Sequence, residues 1–304
     1  MKVLSLFDGM SCTRIALDKL DIKLDSYYAS EVDKYAIKVS QENYPSINQL
    51  GDVTKWRTWD IDWSTIDLVV AGFPCQSWSL AGQGLGDKDK RGQLFWTTLD
   101  IIKHVLKNNP KANYLMENVK MKKDFEEYIT YHTEQALGTV QKYLINSSLV
   151  SAQNRKRFYW TNILNVNQPK DKDIVLADVL EDGITDRGKS HCLDANYFKG
   201  GNLKSYFEKR RRQLVFNKET TSLIRDKSKT VRSGGRGSYD RHEWDSVDKL
   251  HWRKLTPLEC ERLQTVPDNY TNHVSNTQRY KMLGNGFTVD VISHILKHIQ
   301  GKEI

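Results

Sequence analysis

The sequence predicts an α/β protein: a doubly wound, mostly parallel sheet, with a small irregular unit inserted before the chain returns to the first. Three observations carry this. Over residues 1–164, short apolar runs of strand length alternate with helical periods. Between about residues 165 and 250 that pattern dissolves into turn residues and basic clusters. A capped helix start at Thr256 then restores it, so the expected units are 1–164, 165–250 and 251–304.

Residues 3–7 read as the first strand, followed by Asp8-Gly9-Met10-Ser11. Ser11 is placed to cap a helix reaching about residue 20, with Ile15, Ala16, Leu17 and Leu20 as its apolar positions. Residues 27–29 make a second strand ending at Ser30-Glu31, and residues 33–43 a second helix with Tyr35, Ala36 and Val39 on one face. A short third strand ends at Leu50-Gly51-Asp52-Val53. The run 68–71 is long enough for a buried strand and too short for a helix. It breaks at Gly72, and Pro74 stiffens the backbone before Cys75. A thiol on a rigid loop at the end of a buried strand is where an open α/β sheet places its chemistry.

Residues 81–92, rich in glycine and charge, read as a mobile loop beside that cysteine. Residues 94–106 form a helix with Leu94, Thr97, Thr98, Ile101, Ile102 and Val105 toward the core. Residues 114–116 are a strand ending in Glu117-Asn118-Val119, and residues 143–150 and 157–161 form a hairpin. Between its arms lies Gln153-Asn154-Arg155-Lys156-Arg157, whose arginines alternate on an extended chain and point the same way. Two guanidinium forks on one side suit an anionic or carbonyl-rich ligand. Residues 206–215, carrying Lys209, Arg210, Arg211 and Arg212, read as a helix. Pro257 in the first turn and Glu259 at the capping-box position open another after Thr256. Gly284-Asn285-Gly286-Phe287 is a tight turn before an amphipathic helix over 289–299.

Composition narrows the class. The 304 residues are 38% hydrophobic and 28% charged, the balance of a soluble globular protein. There is no apolar run of about 18 residues and no signal peptide, which places the expected protein inside the cell, away from a membrane. The four cysteines, Cys12, Cys75, Cys192 and Cys260, are scattered without a Cys-x-x-Cys pair, so free thiols and no metal site are expected. Residues 199–241 hold 13 Lys and Arg against 4 Asp and Glu, a local +9 that exceeds the +8 of the whole chain. With Tyr206, Phe207, Phe216 and Tyr239 interleaved, and the run Gly234-Gly235-Arg236-Gly237, that segment points to a polyanion, nucleic acid first.

The first two turns point to a nucleoside-bearing cofactor. Gly9 follows strand one, and Glu31, 22 residues on, ends strand two where it can accept from ribose hydroxyls. Asp52 stands where an adenine amino group could be read. The full Gly-x-Gly-x-x-Gly is missing, which leaves room for a cofactor without phosphates.

Taken together, Leu6-Phe7-Asp8-Gly9, Gly72-Phe73-Pro74-Cys75-Gln76, Glu117-Asn118-Val119, the Gln153 to Arg157 run, Arg253-Lys254-Leu255-Thr256-Pro257 with Glu259-Cys260, and Gly284-Asn285-Gly286 resemble the DNA (cytosine-5) methyltransferase family. The resemblance implies the fold of S-adenosylmethionine-dependent methyltransferases with a target-recognition domain at 165–250. By the same resemblance Cys75 is the nucleophile at carbon 6 of cytosine, Glu117 the acid at ring nitrogen 3, and Arg155 and Arg157 the arginines at the base. The cofactor S-adenosylmethionine, leaving as S-adenosylhomocysteine, would be lined by Phe7, Asp8, Gly9, Ser11, Glu31, Val32, Asp52, Val53, Pro74, Leu94, Asn285 and Gly286. Duplex DNA would be met by Gln76, Ser79, Gln83, Arg91, Lys209, Arg210, Arg211, Arg212, Arg232 and Arg236, with residues 83–92 closing over it. The implied protein is a cytoplasmic monomer of a compact bacterial or phage type, of the kind found in restriction–modification systems. A tRNA-directed branch of the same fold and a non-catalytic DNA-binding relative are the alternatives. The chain departs from the commonest family pattern at Asp8, where a small residue is common, and at Ser11 and Cys12, where further glycine is usual.

Overall fold

The computed structural model describes residues 1–74, 92–217 and 252–299. Strands β1 (Lys2–Leu6), β2 (Ser26–Ser30), β3 (Asn48–Gln49), β4 (Leu68–Ala71) and β5 (Asn113–Val119) run parallel. Strands β6 (Gln141–Asn146) and β7 (Lys156–Thr161) close the sheet antiparallel, β7 beside β5, in the order β3-β2-β1-β4-β5-β7-β6. The helices of this part are α1 (Cys12–Asp18), α2 (Lys34–Asn43), α3 (Leu94–Asn108) and α4 (Lys123–Leu137).

Both faces of the sheet are covered, and the period of two in each strand decides which side chain goes where. Val3, Leu68, Val70 and Leu115 face one core with Ile15, Ala16 and Leu17 of α1 and Val39 of α2. Leu4, Leu6, Val69, Ala71, Tyr114 and Met116 face the other, with Leu99, Ile101, Ile102 and Val105 of α3 and Ile129 of α4. Each large apolar side chain among them contributes roughly 1.5–3 kcal/mol by leaving water, which is why runs of four or five residues suffice for these strands.

The remaining elements divide between the first core and a small separate cluster. Helix α5 (Leu176–Val179) packs into the first core, whereas α6 (Leu203–Lys209) and the antiparallel pair β8 (Leu214–Phe216) and β9 (Trp252–Lys254) surround a small cluster of Tyr206, Leu214 and Phe216. Helices α7 (Pro257–Leu263), α8 (Asn276–Asn285) and α9 (Val289–Leu296) return to the first core. Thr256 and Glu259 form the expected capping box at the start of α7.

Several elements differ from expectation. Ser11 stands at the start of α1 in a left-handed conformation and does not cap it; its hydroxyl donates to Asp8, and the helix ends at Asp18. The third strand ends earlier, at Gln49, and Val53 instead opens a short 3₁₀ segment capped by Asp52. Tyr35 lies exposed, off the buried face of α2. The expected helix over 206–215 stops at Lys209: Arg210 and Arg212 adopt positive φ, and Leu214–Phe216 becomes a strand. Tyr206 and Phe216, expected to interleave a basic surface, are buried in the small core instead, and Phe207 is exposed. Residues 147–149 turn as a 3₁₀ segment, so the first arm of the hairpin ends at Asn146.

Among the described residues no helix is long and apolar enough to cross a membrane, and no cluster of acidic, histidine or cysteine side chains could hold a metal.

Candidate active site

The strand order reverses between β1 and β4, whose neighbours β2 and β5 lead outward in opposite directions. Loops leaving the carboxyl ends of such a pair diverge and open a crevice. Here they border a cavity of about 480 Å³, within the range that takes a small-molecule ligand. The loop after β1 is strained: Phe7, Gly9 and Ser11 alternate at φ 55°, 60° and 63°. What holds it is a set of side-chain contacts. Glu31 accepts from the Gly9 amide at 2.8 Å through Oε2, and from the Val32 and Asp33 amides through Oε1. Three of the four acceptor positions on that carboxylate are thereby taken, leaving one on Oε2 for a ligand hydroxyl. Asp52 likewise spends Oδ1 on the amide and hydroxyl of Thr54.

Asp8 is the buried charge of the loop. It accepts from the Ser11 hydroxyl at 2.5 Å and from the Tyr27 hydroxyl at 2.6 Å. Burial lifts its carboxyl to about 6, against the partial counter-effect of those hydrogen bonds. Ser11 itself is fully buried behind the loop, bridging Asp8 and Ser40. The cavity wall therefore does not include it. Cys12 does line the cavity, although the motifs gave it no ligand role. Its thiol, pushed up to about 12 by burial, stays neutral.

The cavity is lined also by the acid and the arginines. Glu117, near the end of β5, pairs with Arg157 through Oε1 and Nε at 2.9 Å, both side chains largely buried. Burial raises the Glu117 carboxyl; Arg157 and Arg155 pull it back only in part. Asn118 turns the other way and donates to the Phe73 carbonyl at 3.0 Å, tying the end of β5 to the Gly72-Phe73-Pro74 loop. Glycine at 72 leaves room for a neighbouring ring: a Cβ there would stand 2.8 Å from Phe287, whose ring would have to shift.

Arg155 and Arg157 both border the cavity but are used differently. Arg155 is 3% exposed and donates to the carbonyls of Leu193, Gly284 and Gly286 at 3.0, 3.2 and 2.9 Å. It thus braces the turn expected from Gly284-Asn285-Gly286, which is itself the end of α8. Its Nε, also buried, has no hydrogen-bond partner among the described residues.

The cavity brings together Phe7, Asp8, Gly9, Glu31, Val32, Asp52, Val53, Pro74, Leu94, Asn285 and Gly286 with Glu117, Arg155 and Arg157. It also takes in Asp33, Gln278 and Lys281, which the motifs do not contain; Lys281 pairs with Asp33 at 3.0 Å. Cys75, Gln76, Ser79, Gln83, Arg91, Arg232 and Arg236 lie outside the described residues, as does the expected closing loop short of Gly92. Lys209, Arg210 and Arg211 are exposed on the small unit, while Arg212 folds back to the Gly200 carbonyl at 2.7 Å.

A cavity of this size at the switch point of a doubly wound sheet, lined also by a buried acid–arginine pair, is the arrangement of a small-molecule site in an enzyme of the α/β class. Residues 1–301 match the C-5 cytosine-specific DNA methylase family, and the chain belongs to that family. It is 30% identical to the Type II methyltransferase M1.ScrFI of Lactococcus lactis subsp. cremoris over 97% of this chain and 76% of that protein. It is 28% identical to the Type II methyltransferase M.HhaI of Haemophilus parahaemolyticus over 98% and 94%. Among solved structures, a DNMT2 of Spodoptera frugiperda superposes with a TM-score of 0.68 at 21% identity, over 98% of this chain and 99% of that one. A putative DNA modification methyltransferase from an Escherichia coli prophage does so with a TM-score of 0.59 at 18% identity, over 98% of each chain. These two establish likeness of fold.

Proposed function

We propose that this protein methylates carbon 5 of cytosine within a short duplex DNA sequence, acting as a monomer in the cytoplasm. The observation that carries the reading is the cavity shared by the cofactor-type turns and the Glu117–Arg157 pair. One end suits a nucleoside bearing an amino acid, and the other suits a planar base presented by flipping, at a cost of a few kcal/mol for unstacking.

The residues present fit S-adenosylmethionine. The remaining acceptor on Glu31 suits a ribose hydroxyl, the Oδ2 of Asp52 an adenine amino group, and the Asp8 carboxylate a cationic centre. Phe7, Val32, Val53, Pro74 and Leu94 supply apolar walls, with Asn285 and Gly286 closing the far side. When bound, that cofactor supplies an electrophilic methyl group.

Carbon 5 of cytosine is a weak nucleophile, and covalent addition at carbon 6 activates it. In this reading the Cys75 thiolate forms a bond to carbon 6, and the ring's electron pair moves toward nitrogen 3. Glu117, whose carboxyl burial raises above its ordinary value, engages nitrogen 3 and so stabilises the charge arriving there. Arg157 holds Glu117 in place, while Arg155 keeps the Gly284–Gly286 turn against the cavity. After carbon 5 gains the methyl group, its proton passes to solvent water, the C5–C6 double bond reforms and Cys75 leaves as the thiolate. Lys209, Arg210 and Arg211, with Arg232 and Arg236, would hold phosphates of the duplex.

Bisulfite sequencing of genomic DNA exposed to the protein and S-adenosylmethionine tests this, with a tRNA transcript treated in parallel. Conversion-resistant cytosines in one short duplex motif are expected. Methylation confined to the transcript overturns the DNA assignment, and a Cys75→Ser protein that methylates DNA at the normal rate overturns the covalent route.

A further inference from the structure

One cysteine, Cys192, stands against both arginines of the site. Its segment, 190–193, is laid beside residues 152–154. The Ser190 amide donates to the Ala152 carbonyl at 2.7 Å, the Asn154 amide to the Ser190 carbonyl at 2.9 Å, and the Leu193 amide to Gln153 Oε1 at 2.8 Å. This docking brings the Cys192 sulfur within 3.4 Å of Arg155 Nη1 and 3.9 Å of Arg157 Nη2. Its own S–H is directed to the Leu193 carbonyl at 3.4 Å.

Arg157 is consequently gripped along the whole guanidinium. Its Nε meets Glu117, its Nη1 donates to the Lys156 carbonyl at 2.9 Å, and its Nη2 faces Cys192. An arginine side chain carries about 2 kcal/mol of rotamer entropy, so each contact along the fork adds to how well the group is fixed. Glu117 and the Lys156 carbonyl both belong to the large sheet, whereas Cys192 reaches Nη2 from the segment 190–193 laid outside it.

We infer that Cys192 is a positioning residue, which sets Arg157 against Glu117 and so couples the seating of segment 190–193 to the acid that engages the base. This rests on the functional reading of Glu117 and Arg157 given above. The charge environment agrees with the geometry. Although Cys192 is exposed at the surface, desolvation of its sulfur by the packed neighbours pushes the thiol up, and the guanidiniums of Arg155 and Arg157 more than offset it, holding the thiol below its ordinary value. A sulfur in that state is a better acceptor for two cations than an ordinary thiol.

The inference separates from simple packing by where the loss falls. A misplacement of the order of an ångström near reacting groups costs up to about 100-fold in rate. Cys192→Ala is expected to lower kcat between about 10- and 100-fold, with KM for DNA and the Kd for S-adenosylhomocysteine unchanged within about twofold. Cys192→Ser, which keeps an acceptor at nearly the same reach, is expected to recover most of that loss. Wild-type kcat in the alanine variant, equal losses in both variants, or a loss confined to KM would overturn it.

A second measurement needs no turnover. The rate of iodoacetamide alkylation at Cys192, followed on its peptide by mass spectrometry near neutral pH, is expected to fall at least about threefold in Arg157→Gln, because the thiolate loses a cation. Equal rates would remove the contact on which the inference stands. If alkylation responds while the wild-type protein methylates no cytosine, the contact stands and the coupling to catalysis falls together with the functional reading. If methylation is normal and alkylation is indifferent to Arg157, only the inference falls.

Discussion

Replacing Asp8 by asparagine turns the buried charge of the first loop into a measurable slope. The folded protein lifts this carboxyl from 3.8 to about 6, a shift of roughly two units at about 1.4 kcal/mol each, or about 3 kcal/mol in full. The sign follows from proton binding. Between about pH 4 and pH 6 the native state keeps a proton that the unfolded chain has released, so native stability falls as pH rises. The contribution is whole below about pH 4 and lost above about pH 6. The asparagine side chain has the same shape, can still accept from the Ser11 or Tyr27 hydroxyl, and does not titrate. Urea unfolding of both proteins at half-unit steps from about pH 4 to about pH 7.5 gives the difference directly, and slopes from all other groups cancel in it. The wild type is expected to lose about 2–3 kcal/mol relative to the Asp8→Asn variant across that window. Parallel curves would show that Asp8 keeps an ordinary carboxyl and that the hydrogen bonds from Ser11 and Tyr27 offset its burial.

Two further substitutions probe how the parts are joined. Gly284→Ala places a Cβ 2.3 Å from the Asp194 carbonyl carbon, a backbone contact that cannot swing aside; a loss of about 2 kcal/mol or more in urea unfolding is expected, and a neutral effect would refute the close approach. Arg253→Ala leaves the Glu259 carboxylate, 0% exposed, with the backbone amides of Thr256 and Glu181 as its donors among the described residues. A loss of about 3 kcal/mol is expected by the same measurement, and less than about 1 kcal/mol would mean that those amides suffice.

What the sequence made legible was local. Strands β1, β4 and β5 are buried on both faces and read as short apolar runs; the end of each carries its own residues, Gly9, Pro74 and Glu117, so motif and position coincide. Helix α4 is hard to see from sequence because it buries only Ile129 and Thr133 and is otherwise a largely polar surface. Helix α8 reads locally as a turn because Gly284-Asn285-Gly286 dominates its end. The helix expected over 206–215 failed at Arg210 and Arg212: arginine is a good helix former, and only the pairing of Leu214–Phe216 with Trp252–Lys254, strands 36 positions apart at their nearest, decides otherwise. In the site, nothing local distinguishes the two arginines. Arg155 becomes a brace because the Gly284 and Gly286 carbonyls, 129 and 131 positions away, arrive beside it.

The last helix of the fold packs on the first. Ser293 of α9 donates to the Ala16 carbonyl of α1, Lys19 pairs with Asp290, and the Tyr270 hydroxyl donates to the Met10 carbonyl. The loop that carries Asp8 and Gly9 is made well before its supports at Tyr270 and Gly286 leave the ribosome. A nascent chain therefore has no finished pocket until translation has passed those supports, and a ligand that binds only that pocket stabilises the completed product and no earlier stage of synthesis.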